Sequence, residues 1–500
     1  MSVELAGRRL DVDLLARELG NWRTSSRSGP AYQGLADGLR MLIVDGRLPV
    51  GAQLPSERAL ADALRVSRTT VTAAYTQMRE DGYLKGRQGA RSTTALPVAA
   101  PAPTPKLAGT AVAKLAGTAV ANLAGRAVAN LAAATLAAPV AAVAQAFEEA
   151  AAQVTPYLHD IGIELVGVRP LREAIAERYC ARGLPTEPDE IMVTTGALHA
   201  IGLILATYTQ PGDRVLVEQP TYHGALAAMA TKGVRPVPVA MTPDGWDLDA
   251  IDAAVRQLSP NLAYLIPDNH NPTGMTLPPA GRRRLAQIIA ETRTRTIIDE
   301  TITDMWLDEM VPPPFAASMA ARRDLVLTVG SMSKSYWGGL RIGWIRGERN
   351  ALATIGAMRP AVDMGTPIVE QLAAASLLGL ADDVLPDRRD TLRVRRALLL
   401  ALLDQHLPDW RPDLSKGGMS LWVRLPAPMS TALSAAASRM GLEIPPGPRF
   451  GVDGTLERFI RVPYTLPEEQ LTEAVELLAR AWRSVTGTGA VGVEFAAVVV

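Results

Sequence analysis

Hydrophobic positions divide the 500-residue chain into three stretches of different rhythm. Between Tyr32 and Asp45, Leu35, Leu39, Leu42 and Ile43 fall at helical spacing. Pro55-Ser56 then opens a second helix carrying Leu60 and Leu64. Ser67 caps a third over 67–82, whose inner stripe is Val71, Tyr75 and Met78 and whose stop is Gly82. YLKGRQGARSTT (83–94) reads as a hairpin with Gly86 or Gly89 at its tip. From about residue 155 to 485 the rhythm changes. Short apolar runs at 191–195, 214–219, 263–267, 296–300 and 325–330 alternate with amphipathic segments, as in a mostly parallel sheet covered by helices. The later runs LWVRL (421–425) and FIRVP (459–463) suit a smaller C-terminal α+β subdomain. The expected fold class is α/β with an N-terminal winged helix-turn-helix.

The stretch between is low in complexity. After Pro97, Pro101, Pro103 and Pro105 comes an eight-residue repeat: KLAGTAVA twice, NLAGRAVA, then NLAAATLA (130–137). An eight-residue period turns a helix by roughly 80° per repeat, so it builds no single seam. Each glycine at 109, 117 and 125 costs a helix about 1 kcal/mol relative to alanine. The organisation expected is a head over 21–96, a linker over 97–150, a body over 151–485 and a tail over 486–500. The apolar tail suits either a docked strand or a frayed end.

Composition refines this. Lys+Arg and Asp+Glu are 51 each, which taken alone disfavours a nucleic-acid partner. Residues 1–96, however, hold 14 basic and 10 acidic residues, net +4, and the rest 37 and 41, net −4. A basic module is thus hidden in the average. The single Cys180 excludes an internal disulfide framework or a multi-cysteine metal site. The first thirty residues show no signal-peptide pattern, and no run reaches ~20 uninterrupted apolar residues. A cytoplasmic protein without a membrane partner or metal is expected.

Helix, helix, turn, helix and basic hairpin in that order form a winged helix-turn-helix. Arg68, Thr69 and Thr70 lie on the first turn of its third helix, where side chains reach major-groove edges. Lys85, Arg87 and Arg91 suit a wing running along the phosphate backbone. The segment LPSERALADALRVSRTTVTAAYTQMREDGYLKGRQGARS (54–92) closely resembles the GntR family of bacterial regulators. That resemblance implies that Arg58 contacts phosphate, Arg68 and Thr69 read bases, and Gly89 of the wing approaches the groove.

In the body, the strongest chemical signal is SMSKSYWGGLRIGW (331–344). Of six lysines, Lys334 alone follows a buried-looking strand, between two serines and a Gly-Gly turn. A Schiff-base lysine needs such a rigid seat. Ser331, Ser333 and Arg341 would surround a phosphate, and Arg341 can bind one bidentately. TTGALHAI (194–201) is a strand-to-helix turn with free backbone N–H groups at Gly196, Ala197 and Leu198. Tyr222 follows a strand where its ring could stack on a flat cofactor. Asn271 precedes a Pro-Thr-Gly turn, and Asp299 ends a buried strand, where it needs a positive partner. Singly, each has an ordinary structural reading; their order and spacing together do not.

The set resembles fold-type I pyridoxal-phosphate aminotransferases over about 157–480. The resemblance implies that Lys334 forms the Schiff base with pyridoxal 5′-phosphate and that Asp299 pairs with the pyridine nitrogen. It also implies that Asn271 bonds the ring hydroxyl, Tyr222 stacks on the ring, and Gly196, Ala197, Leu198, Ser331, Ser333 and Arg341 hold the phosphate. Arg461 in FIRVPY matches the arginine that clamps an amino acid's α-carboxylate. The family's usual tyrosine two or three residues after the aspartate is replaced here by Thr301 and Ile302. Head and body together resemble the MocR-type transcription regulators. For these the resemblance implies a head-to-tail homodimer, operator DNA as partner, and a body that senses an amine, an amino acid or the cofactor. A working aminotransferase with an accessory head is the alternative.

Overall fold

The computed structural model describes residues 10–20, 22, 30–86, 92–96, 129–319 and 322–487. Arg87, Gly89 and Arg91 of the wing, residues 97–128 and the tail 488–500 lie outside the described residues.

In the head, α1 (Val12–Leu19), α2 (Ala31–Val44), α3 (Glu57–Leu64) and α4 (Arg68–Glu80) pack beside an antiparallel ribbon of β1 (Leu84–Lys85) and β2 (Thr93–Thr94). The caps act as the sequence predicts. Ser56 Oγ accepts from the Ala59 N–H at 3.2 Å and Ser67 Oγ from the Thr70 N–H at 3.1 Å, so each satisfies a free first-turn donor. Leu35, Leu39, Ile43, Leu60, Val71, Tyr75 and Met78 close one core. The head starts earlier than the expected residue 21. α1, capped by Asp11, adds Leu15 and Leu19 to that core. With only eight residues, α1 has too short a pattern to declare its period.

The body begins earlier too. β3 (Ala129–Asn130) and α5 (Val140–Gln153) belong to it, which corrects the linker boundary expected at 150. The last repeat differs from the others: Ala133 stands where they carry glycine, and Leu131 and Leu136 are buried in the body's core. Burying each leucine contributes about 1.5–3 kcal/mol, which turns a repeat that reads as linker into a packed segment following β3.

Next come α6 (Arg169–Ala181), β4 (Ile191–Thr194), α7 (Ala197–Tyr208), β5 (Arg214–Gln219), α8 (His223–Thr231), β6 (Arg235–Thr242) and β7 (Gly245–Trp246). They are followed by α9 (Leu248–Leu258), β8 (Leu262–Leu265), α10 (Pro279–Thr292), β9 (Thr296–Asp299), β10 (Val326–Ser331) and β11 (Gly343–Arg346). These strands form one eight-stranded sheet in the order β4-β11-β10-β9-β8-β5-β6-β7. Neighbours from β10 to β6 run parallel; β11 opposes both its neighbours, and β7 folds back on β6. The buried apolar runs thus became a mostly parallel sheet, as expected. β6 was not expected as a strand because RPVPVAMT carries Pro236 and Pro238. Those prolines pair with β5 on one side, while β7 reaches only Met241 and Thr242 on the other, so their missing N–H groups cost no ladder bond.

After β11 the chain continues through α11 (Arg349–Met358), α12 (Ile368–Gly379) and α13 (Ala381–His406). The smaller subdomain holds β12 (Arg411–Pro412), β13 (Ser420–Arg424), α14 (Ser430–Arg439), β14 (Leu442–Glu443), β15 (Phe459–Pro463) and α15 (Glu468–Gly487). β12, β13 and β15 form an antiparallel sheet, and β14 pairs in parallel with β3. No helix among the described residues is long and apolar enough to cross a membrane. The carboxyl ends of β4, β5, β9 and β10 face one edge of the large sheet, where such folds place their ligands.

Candidate cofactor site and nucleic-acid face

Lys334 sits just past the end of β10, on a cavity of about 230 Å³ shared with Ala132, Ala134, Tyr222, Asn271 and Arg461. Its Nζ donates to the Ala134 carbonyl at 2.8 Å. Burial, with Arg461 and Arg341 nearby, pulls its pKa down to about 8, against the opposing pull of Asp299. At pH 7 such an amine is about one-tenth neutral, against roughly three parts in ten thousand for an ordinary lysine. Capture of pyridoxal phosphate by apoprotein, followed by stopped-flow absorbance, should therefore rise about tenfold per pH unit below 8 and level off above it. A rate still climbing beyond pH 9.5 would show that the site does not lower this lysine.

Asp299 ends β9 and is buried. Its Oδ2 accepts from Tyr264 Oη at 2.7 Å and its Oδ1 from the Thr301 N–H at 2.9 Å. Burial raises its pKa despite these bonds. It makes no ion pair among the described residues, so a cation at the pyridine-nitrogen position would meet an uncompensated carboxylate. The Tyr222 ring lies over Gly224, where a Cβ would stand 2.3 Å from Cζ. Arg461 Nη1 reaches Asn271 Oδ1 at 3.4 Å, Nη2 donates to the Ala132 carbonyl at 2.5 Å, and its guanidinium stands 5.0 Å from the Phe450 ring centre. Burial lowers the Arg461 pKa to about 10, which leaves it charged at neutral pH.

The proposed phosphate cradle is equally close-built. Arg341 adopts a left-handed backbone (φ 54°), and its Nη2 donates to the Thr195 carbonyl at 3.0 Å. A Cβ at Gly196 would lie 2.7 Å from that nitrogen, and one at Gly343 only 2.6 Å from the Gly196 carbonyl carbon. Ser331 Oγ lies 3.0 Å from Ser333 Oγ and donates to the Ile342 carbonyl at 3.1 Å. Ala197 and Leu198 open the twelve-residue α7, whose first-turn N–H groups favour an anion. Two serines, one arginine and a helix N-terminus make the donor set that a phosphate monoester takes. With Lys334 on the cavity, and Asp299 near enough to act on its charge while making no ion pair among the described residues, the residues present fit pyridoxal phosphate.

Four participants were not legible in the chain. Tyr264 serves Asp299 from the neighbouring strand β8. His223, also on the cavity, stands edge-on to Tyr222 and Phe450 and is held neutral, its pKa brought down to about 3 by burial and by Arg461. The Ala132 and Ala134 carbonyls arrive from the segment read as linker. No local pattern announces any of them. Of the missing-tyrosine positions, Ile302 lines the cavity, and Thr301 gives its backbone N–H to Asp299.

On the head, Arg58, Arg68, Thr69 and Lys85 are exposed. Thr70 is half-buried, and its Oγ1 lies 2.7 Å from Ser67 Oγ, which also meets Thr69 Oγ1 at 2.8 Å. Glu57 Oε2 accepts from Thr72 Oγ1 at 2.7 Å and lies 4.0 Å from Arg68 Nε, leaving the Arg68 side chain 73% exposed. The first turn of α4 is thus fixed in position and open to a groove.

Fold and site together define a pyridoxal-phosphate aminotransferase-like body joined to a winged helix-turn-helix head. Residues 128–478 match the aminotransferase class I and II family, and residues 31–93 match the gntR family of bacterial regulatory proteins. The 2-aminoadipate transaminase of Thermus thermophilus is 31% identical over 342 residues, spanning 67% of this chain and 85% of its own. An uncharacterized HTH-type transcriptional regulator of Escherichia coli, YdcR, is 30% identical over 443 residues, spanning 86% and 94%. Among solved structures, α-aminoadipate aminotransferase from T. thermophilus in complex with N-(5′-phosphopyridoxyl)-L-leucine superposes with TM-score 0.68 at 27% identity, covering 76% of this chain and 98% of that one. The N-succinyldiaminopimelate aminotransferase of Mycobacterium tuberculosis gives 0.66 at 26%, covering 75% and 97%. The chain belongs to the class I and II aminotransferase family, in the MocR-type combination with a GntR-type head.

Proposed function

We propose that this protein is a transcriptional regulator whose body holds pyridoxal phosphate and senses a small amine or amino acid, and whose head binds operator DNA. The observation that carries the reading is the pairing of Lys334 and Arg461 on one cavity of about 230 Å³, in a chain whose recognition turn stands exposed. Bound pyridoxal phosphate supplies an aldehyde that condenses reversibly with primary amines. Ser331, Ser333, Arg341 and the first turn of α7 would hold its phosphate. Asp299, fixed by Tyr264 and Thr301, would keep a proton at the ring nitrogen; Asn271 would donate to the ring hydroxyl, and Tyr222 would pack on the ring. Arg461 exchanges the Ala132 carbonyl for a carboxylate and so selects amino acids among amines.

Two copies would pair through an apolar face. Leu158, Ile161, Val362 and Met364 are exposed there, and Arg359 Nη1 ties the two segments together by donating to the Leu165 carbonyl at 2.5 Å. The test is footprinting on the promoter beside the protein's own reading frame, with and without added amino acids. A protected site whose extent changes with the amino acid, and does so only in protein that retains Lys334, is expected. The alternative, a working aminotransferase, is supported by the presence of the same lysine, aspartate and arginine. Turnover of roughly 1 s⁻¹ or more with no protected DNA would establish it instead.

A further inference from the structure

Among the described residues, the hydrogen bonds and ion pairs between head and body gather at one seam, which backs onto the cavity. Asp45, the C-cap of α2, is only 9% exposed, with Arg458 Nε 3.5 Å from one of its oxygens and Arg424 Nη2 4.0 Å from the other. The Leu456 N–H donates to the Val44 carbonyl at 2.8 Å, and Arg458 Nη2 lies 3.3 Å from Met41 Sδ. Gln219 holds both sides at once. Its Nε2 donates to the Gly46 carbonyl at 3.4 Å, and its Oε1 accepts from the Val452 N–H at 3.0 Å. A Cβ at Gly46 (φ 75°) would come 2.8 Å from that Nε2, so the approach requires glycine.

This seam is not a shared core. The head's hydrophobic cluster includes no residue of the body's clusters, and a void of about 300 Å³ remains between Asp45, Arg47, Trp422 and Arg424. A small, polar, imperfectly filled contact is the kind that parts and re-forms. Docking leaves Arg58, Arg68, Thr69 and Lys85 exposed, so it sets the direction of the recognition helix rather than covering it.

The far side of the seam is one aromatic cluster thick. Trp422, Phe450 and Leu456 pack together, with Phe459 stacked on Trp422 at 5.3 Å. Phe450 meets Trp422 edge-on at 5.6 Å and stands under the Arg461 guanidinium, and its carbonyl accepts from the Thr221 N–H, next to Tyr222. We propose that loop 450–458 is the coupling element of the protein, sensing the occupant of the cavity through Phe450 against Arg461 and holding the head through Leu456 and Arg458 against α2. A carboxylate that recruits Arg461 weakens its hold on Phe450, loosens the loop and releases the head's orientation. Spatial proximity alone does not make a coupling; the two-state element is the head, docked or free, and the ligand must bind the two states differently. The proposal rests on the regulator reading above.

The test uses full-length protein with Cys180→Ser, spin-labelled at Glu80→Cys on the head and Glu476→Cys on α15, both exposed positions. Spin-diluted with excess unlabelled protein, so that a dimer carries one labelled copy, the parent should give one narrow distance distribution. Asp45→Asn should broaden it, lowering the docked-to-free ratio about tenfold or more, and Arg458→Gln added to it should cause little further change. Arg461→Met, with no ligand present, should broaden it as Asp45→Asn does; Phe450→Leu is a second variant in case the first misfolds. Lys334→Ala, which does not touch Phe450, should leave the narrow peak. A narrow peak in both Arg461→Met and Phe450→Leu would overturn the coupling, and one in Asp45→Asn would overturn the dock. Failure of the regulator reading shows separately, as absent cofactor absorbance or absent footprint, and leaves these distances as they are.

Discussion

Lys334→Ala is expected to abolish retention of pyridoxal phosphate through dialysis, and with it the visible absorbance of the bound cofactor. Among the described residues Lys334 is the one lysine on the cavity, and loss of its amine would remove the proposed covalent anchor while leaving the proposed phosphate cradle of Ser331, Ser333 and Arg341 intact. The variant should fold normally. Among the described residues the Lys334 amine bonds only the Ala134 carbonyl, and the alanine side chain carries no desolvated charge, so the apoprotein's stability should change by no more than about 1 kcal/mol. The thermal signature should be clear. A ligand at a hundred times its dissociation constant stabilises the folded form by about 2.7 kcal/mol, which raises the melting temperature of the parent by a few degrees. In Lys334→Ala that rise should disappear at the same cofactor concentration. A variant that still bound the cofactor as tightly, and with the same spectrum, would show that the Schiff base forms elsewhere.

Arg68→Ala is the counterpart on the head. The side chain is 73% exposed and lies 4.0 Å from the Glu57 carboxylate, so its removal should leave the fold and the cofactor spectrum unchanged. If it reads a base edge, operator affinity should fall by about 1–3 kcal/mol, roughly five- to 150-fold, and discrimination at one position of the site should relax. If it contacts only phosphate, affinity should fall equally for all sequences, and the slope of log affinity against log salt should lessen by about one unit. Arg480→Ala, exposed on α15 of the body, should do neither. Unchanged operator binding in Arg68→Ala would remove the first turn of α4 from the DNA contact.

Much of this was written locally in the chain. Ser56 and Ser67 announce the starts of α3 and α4 because an N-cap is a contact over three residues. The buried strands β4, β5, β8, β9 and β10 show as short apolar runs because strands covered on both faces admit little else. Lys334, Asp299, Asn271, Tyr222 and Arg341 could be singled out because each stands at a strand end or tight turn, where a reactive group has a rigid seat. The neutral charge total misled until it was divided at residue 96, since a sum over two modules of opposite sign carries no information about either.

The sequence by itself determined the two modules, the order of their elements and the chemical type of most groups in the cavity, all of which depend on contacts between near neighbours in the chain. Only the tertiary structure decided what depends on distant closure. It brought Tyr264 to Asp299 across adjacent strands, drew the last alanine-rich repeat into the body so that Ala132 and Ala134 face Arg461 and Lys334, and placed Asp45 against Arg458, over four hundred residues away. Hydrophobic period and capping fix what a segment is; which segments meet is fixed by the packing of whole layers, and no local pattern encodes that.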